Sequence, residues 1–170
     1  ILGKVEIVDF RVGRSLGDRR RQMIGRRTQH GEMPGQQGAR VLLSGAGTGL
    51  DFPFLPAGHS YTALDLTGAM LARSRNTAQH LDMAWVQGDS MRLPFADESF
   101  DCVVLHLIMA VVPRPERCLA EATRVLKPGG RILIFDKFLH PGERAWLRRS
   151  LNIFTAQFAT RMDVVFENVL

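Results

Sequence analysis

Five consecutive residues, Gly45-Ala46-Gly47-Thr48-Gly49, follow the apolar run Val41-Leu42-Leu43 and carry glycine at every second place. Glycine is needed where the backbone must turn tightly and let a ligand approach closer than a Cβ allows. The dinucleotide pattern G-x-G-x-x-G would require glycine where this chain has Leu50, so the spacing suits a nucleoside ligand without a pyrophosphate better than a dinucleotide. Asp65 lies 20 residues after Gly45, at the end of the next β-type run. A carboxylate there accepts hydrogen bonds from both hydroxyls of a ribose; the plainer reading is an acid favoured at a helix N-terminus. A third run ends in Gln87-Gly88-Asp89-Ser90-Met91, where Asp89 suits an exocyclic amine such as that of adenine, or else is a turn acid. His106 sits inside the apolar stretch 103–112. It is the candidate general base, since an imidazole titrates near ~6.5; the plainer reading is a histidine satisfied by backbone at a strand end. The other histidines, His30, His59, His80 and His140, lack ligand spacing, and no metal site is expected.

These residues need elements to hold them. From residue 40 onward, short apolar or β-branched runs alternate with helix-period segments, which predicts an α/β domain with a doubly wound, mostly parallel sheet. Strands are expected at 41–44, 61–65, 84–87, 100–107 and 131–136. Thr67 is a plausible N-cap for a helix whose Met70, Leu71, Ser74, Ala78 and Leu81 share a face. Pro115 opens a second helix with Cys118, Leu119, Ala122, Val125 and Leu126 on one stripe, and Pro128-Gly129-Gly130 is expected to close it. Leu147, Leu151, Phe154 and Phe158 recur at helical spacing as a core face. Three strand ends then carry the glycine turn, Asp65 and Asp89 to one edge of the sheet, where ligands of open α/β sheets bind.

Composition bounds the class. The chain has 170 residues, a net charge of +5, 45% hydrophobic residues and two cysteines. Such a length buries roughly 70% of the surface of its unfolded chain and sustains a core without disulfides. Cys102 and Cys118 lie in apolar runs without C-x-x-C spacing, which argues against a disulfide scaffold and makes a reducing, cytoplasmic compartment the expectation. The stretch 103–112 is too short to cross ~30 Å of hydrocarbon. Residues 1–40 carry nine basic and four acidic side chains, whereas 41–170 carry 13 of each sign, so the whole excess is N-terminal. Residues 1–39 therefore read as a basic segment, with 28–39 as linker, and 40–170 as the α/β domain. Guanidinium groups pair with phosphate in a forked geometry, and the alternative is a solvated Arg-rich surface. Phe10 is the only aromatic residue in that segment, which disfavours nucleic acid as a partner.

Taken together, residues 45–49, Leu64-Asp65-Leu66-Thr67-Gly68-Ala69-Met70-Leu71, Gly88-Asp89-Ser90, residues 93–101, Glu121 and residues 124–131 resemble the class I S-adenosylmethionine-dependent methyltransferases. The likeness spans residues 40–138 and is nearest to the branch that methylates quinone precursors and phospholipid head groups. It implies a Rossmann-like fold and S-adenosylmethionine as cofactor. Gly45, Ala46, Gly47, Thr48 and Gly49 would wrap the methionine part and ribose, and Asp65 would hold the ribose hydroxyls. Leu66 and Met70 would flank the adenine, and Asp89, Ser90 and Met91 would meet its amine edge. His106 would stand beside the methyl group, catalytic for an oxygen or acidic carbon acceptor. The N-terminal segment would close over the site, with Arg14, Arg19 and Arg20 recognising a small-molecule or phospholipid-like acceptor and making peripheral membrane contact. Two departures stand out: Leu43 occupies a place that is usually acidic in the family, and the C-terminal antiparallel hairpin has no counterpart in the sequence. They keep open a cofactor-binding module without catalysis, and a nucleotide-dependent oxidoreductase stays as a third class disfavoured by Leu50.

Overall fold

A computed structural model describes residues 4–9 and 33–136. Among the described residues six strands make one sheet: β1 (Lys4–Asp9), β2 (Arg40–Ser44), β3 (Ser60–Asp65), β4 (Asp82–Gln87), β5 (Phe100–His106) and β6 (Leu126–Asp136). Their order is β1-β6-β5-β2-β3-β4, and each neighbouring pair is parallel. Two helices, α1 (Gly68–Ser74) and α2 (Pro115–Arg124), connect them together with 3-10 turns at Phe52–Phe54 and Arg75–Thr77.

The core follows from the two-residue period of the strands, because successive side chains point to opposite faces. Leu42, Val103, Leu105, Ile132 and Ile134 pack on one face with Cys118, Leu119 and Ala122 of α2. Val41, Leu43, Tyr61, Ala63, Cys102 and Leu133 face the other way, against Phe52, Leu55 and Leu71. Both faces are covered, as an all-parallel sheet requires. Each large apolar side chain so buried contributes roughly 1.5–3 kcal/mol relative to its exposed state. Leu43 is 7% exposed within the second group, so the residue at the family's usual acidic place is a packing residue here.

Several elements depart from the sequence-based expectation. Lys4–Asp9, which charge placed in the basic N-terminal segment, pairs in parallel with β6 from Lys4↔Arg131 to Asp9↔Asp136. Pro128-Gly129-Gly130 does not close a helix: α2 ends at Arg124, and the three residues lie inside β6. The register jumps from Phe100↔Leu126 to Cys102↔Arg131, so the β6 residues between Leu126 and Arg131 bulge outward, with Gly129 at φ +77° supplying the left-handed turn. The first helix stops at Ser74 rather than reaching Leu81. The hydroxyls of Ser74 and Thr77 donate to the carbonyls of Leu71 and Ser74 and tighten the chain into a 3-10 turn. Thr67 is at the N-cap position, but its side chain makes no capping bond. The last residue of β5 is His106, and Leu107 follows at φ +55°. The hairpin, the recurrence at 147–158 and Arg14, Arg19 and Arg20 lie outside the described residues.

Candidate active site

From β2 the chain moves to β3 and β4 on one side, then returns to β5 on the other. The strand order reverses between β2 and β5, and a crevice at the carboxyl ends of such strands is where open α/β sheets bind ligands. The turn 45–49 leaves β2 at that point. Gly45 and Ala46 both donate their amides to the Leu64 carbonyl at 2.9 Å, which folds the turn against the end of β3.

Asp65 ties the junction together. Gly47 N–H donates to its Oδ2 at 2.8 Å and Thr67 N–H to its Oδ1 at 2.9 Å, while Gly88 N–H donates to its main-chain carbonyl at 3.0 Å. The ends of β2, β3 and β4 thus meet through one residue. Each carboxylate oxygen takes one of these bonds and keeps capacity for another donor.

The glycines of the turn have separate reasons. A Cβ on Gly45, at φ +78°, would come within 2.8 Å of Ile108 Cδ1, so this glycine admits the protein's own side chain. Gly49 likewise makes room for Thr77 and Phe52. Gly47, at φ +55°, has no atom of the described residues within 4 Å of where its Cβ would be. It is the member of the turn that borders open space.

The other residues expected from sequence lie at or just beyond the ends of β2, β3 and β4. Thr48 and Ala46 are half-buried, and Ala46 packs against the Leu43 face. Leu66 and Met70 are 69% and 38% exposed at the same sheet edge. Asp89 Oδ1 accepts the Met91 amide at 2.8 Å, while the Met91 side chain leans on the core. Ser90 is turned inward instead: it is buried, and its hydroxyl pairs with that of Ser44 at 2.8 Å.

His106 reaches the same edge with a partner that sequence reasoning missed. Its Nδ1 is hydrogen-bonded to Oδ2 of Asp51, the second residue after Gly49. The side chains are only 8% and 22% exposed. Ser44 pairs with Leu105 across the sheet, so the next residues, Gly45 and His106, leave neighbouring strands side by side. The two partners are 55 positions apart, and no local spacing marks Asp51. Its one signal is its place just after the glycine turn.

Known proteins resemble this chain in sequence and fold. The methyltransferase-domain family matches residues 42–134, from within β2 into β6. The chain belongs to that methyltransferase family. Phosphatidylethanolamine N-methyltransferase of Cereibacter sphaeroides is 35% identical over 138 residues, 78% of this chain and 68% of that protein. The ubiquinone/menaquinone biosynthesis C-methyltransferase UbiE of a Ruegeria species is 45% identical over 106 residues, 58% of this chain and 42% of that enzyme. Among solved structures, the YcgJ protein of Bacillus subtilis superposes with a TM-score of 0.68 at 25% identity, covering 85% of this chain and 63% of its own. The arsenic(III) S-adenosylmethionine methyltransferase of Chlamydomonas reinhardtii superposes at 0.59 with 28% identity, covering 71% and 46%. The Rossmann-like methyltransferase fold is thus the one that the sequence resemblance implied. Among the described residues no helix is long and apolar enough to cross a membrane.

Proposed function

We propose that this methyltransferase binds S-adenosylmethionine at the Gly47–Asp65 junction and methylates a small-molecule or lipid-like acceptor of the quinone or phospholipid kind. The observation that carries the reading is the open space beside Gly47, bordered by a carboxylate with spare acceptor capacity. The residues fit an adenosyl ligand. Asp65 would hold the ribose hydroxyls, exposed Leu66 and Met70 would flank the base, and Asp89 would meet its amine. Gly45 and Gly49 would act indirectly, by letting Ile108 and Phe52 set the shape of the turn.

When bound, the sulfonium supplies a methyl group activated for in-line displacement. The chain contributes position and shielding, and well-oriented reactants can gain roughly 7–11 kcal/mol of barrier in this way. His106, shielded at the end of β5, would take a proton from an acceptor that must lose one. Arg14, Arg19 and Arg20 would serve a phosphate-bearing acceptor or an anionic membrane surface, in keeping with the N-terminal charge excess and with a relative named for phosphatidylethanolamine.

Calorimetric titration with S-adenosylmethionine and S-adenosylhomocysteine, followed by transfer of labelled methyl to quinone precursors and to phosphatidylethanolamine vesicles, tests the reading. Saturable binding and transfer to one acceptor class are expected, and absence of binding overturns it. Binding without transfer would favour a non-catalytic module, the alternative that buried Leu43 recommends.

A further inference from the structure

We propose that Asp51 is a positioning residue that fixes one tautomer of His106 beside the glycine turn, making the pair a proton-accepting unit for a methyl acceptor that must lose a proton from oxygen or carbon. The inference rests on the methyl-transfer reading above and specifies the acceptor chemistry of that same site.

The carboxylate of Asp51 can only accept a hydrogen bond, so Nδ1 of His106, which faces it, must carry hydrogen. The basic lone pair is thereby assigned to Nε2. The two residues come from opposite sides of the turn: Asp51 follows Gly49, and His106 ends the strand beside β2. The chain after His106 is also held. Leu107 takes φ +55°, a conformation that leucine adopts only when its surroundings impose it, and Ile108 packs onto Gly45. An imidazole that is 8% exposed is screened from bulk water.

The step is a proton transfer. For an oxygen acceptor the O–H bond breaks, its electron pair stays on oxygen as the nucleophilic pair, and the proton bonds to Nε2. For a ring carbon the same O–H bond breaks, the pair is delocalised onto the carbon that attacks, and after methyl transfer the C–H proton of that carbon passes through water to the oxygen, its pair restoring the aromatic ring. The imidazolium keeps its Nδ1–H bond to Asp51 and later releases the proton to water. A phenolic hydroxyl or an activated ring carbon needs such help. A neutral amine attacks with a lone pair it already has.

A staple between two loops would show the same contact, and Asp51→Asn separates the two roles. The amide keeps the shape and still bonds to the ring, but it can donate to Nδ1, which reverses the tautomer and puts hydrogen on Nε2. Ring nitrogen shifts of the 15N-histidine-labelled full chain without ligand, assigned with His106→Gln, are expected to show Nδ1–H in the native protein and Nε2–H in Asp51→Asn. With a prenylated hydroquinone in detergent micelles as acceptor, kcat should fall by roughly 10²–10⁴-fold in Asp51→Asn. KM for the acceptor and Kd for S-adenosylmethionine should stay within about twofold, and Asp51→Glu should recover part of the rate. The proposal is overturned by an unchanged tautomer, by an unchanged kcat, or by loss of S-adenosylmethionine binding in step with kcat. Methyl transfer to phosphatidylethanolamine vesicles but not to the hydroquinone overturns its acceptor assignment. Failure of the native chain to bind S-adenosylmethionine would instead sink the methyl-transfer reading, a result distinct from any tautomer outcome.

Discussion

The amide of Gly47 donates to Oδ2 of Asp65 at 2.8 Å, and this bond joins the turn after β2 to the end of β3. The same carboxylate accepts Thr67 N–H at 2.9 Å, so Asp65 organises the backbone of the site before it meets any ligand. Removing it has two effects. Asp65→Ala leaves two amides without their acceptor, costing about 1–3 kcal/mol of stability, and takes away the acceptor proposed for the ribose. Calorimetry should find S-adenosylmethionine binding weakened by ~10–100-fold. An unchanged dissociation constant would mean that the ribose does not bind here.

Gly45 and Gly47 should respond differently to alanine. At Gly45 the new Cβ meets Ile108 at 2.8 Å in a left-handed backbone, so strain and overpacking add to roughly 2–5 kcal/mol. At Gly47 the space is open among the described residues, and only the backbone cost of about 1–2 kcal/mol applies, yet the methyl group enters the space proposed for the ligand. Urea denaturation should rank Gly45→Ala well below Gly47→Ala, while titration should find cofactor binding lost in Gly47→Ala although the protein is folded. Equal destabilisation would refute the separate roles.

How far this was legible in sequence depends on the range of each signal. The strand-glycine turn, Asp65 at the end of β3 and Pro115 at the start of α2 are local patterns, and each sits where the pattern put it. Lys4–Asp9 alternates charged and apolar residues over its first four positions, a strand signal that the surrounding arginines masked. Pro128-Gly129-Gly130 is ambiguous in sequence because the residues that end a helix also permit a bulge, and only the partner strand decides between them. The Asp51–His106 pair was illegible, since contact across 55 positions follows from the sheet order and not from spacing. The inward turn of Ser90 was hidden for the same reason: Ser44, its partner, lies 46 residues away.

Arg124 pins the segment between β4 and β5 onto α2. Its guanidinium donates to the carbonyls of Leu93 and Phe95 and to Glu121 and Asp97, while Glu121 also accepts the Leu93 amide. Asp97 is exposed and adds little. Arg124→Met should cost about 1–3 kcal/mol, chiefly through the two carbonyls and the abandoned Glu121. The bond from Arg124 holds the Glu121 carboxyl below its ordinary value of 4.5, against the opposing effect of burial. A depressed carboxylate stabilises the fold above that value, and the contribution fades as pH falls through the folded value. The native protein should therefore lose stability below about pH 4.5 with a steeper slope than Arg124→Met. Parallel slopes in denaturation at pH 6 and pH 3.5 would rule this out.

His59 gives a second pH response at the opposite end of β3. It is 7% exposed, its ring meets Tyr61 edge-on with centroids 6.1 Å apart, and its Nδ1 has no hydrogen-bond partner among the described residues. Burial disfavours the imidazolium and holds its pKa below 6.5. The unfolded chain therefore binds this proton more readily than the folded one. Stability from His59 is complete above pH 6.5 and declines as pH falls toward the folded value, by at most about 1.4 kcal/mol per pH unit. His59→Leu keeps an apolar side chain of similar volume and removes the titration. Unfolding free energies from urea titrations at pH 7.5 and 5.5 should differ less in this variant than in the native protein, with the gap closing mainly at pH 5.5. If both proteins lose the same stability between the two values, the imidazole is not shielded as its contacts indicate, and the acid response belongs to other groups.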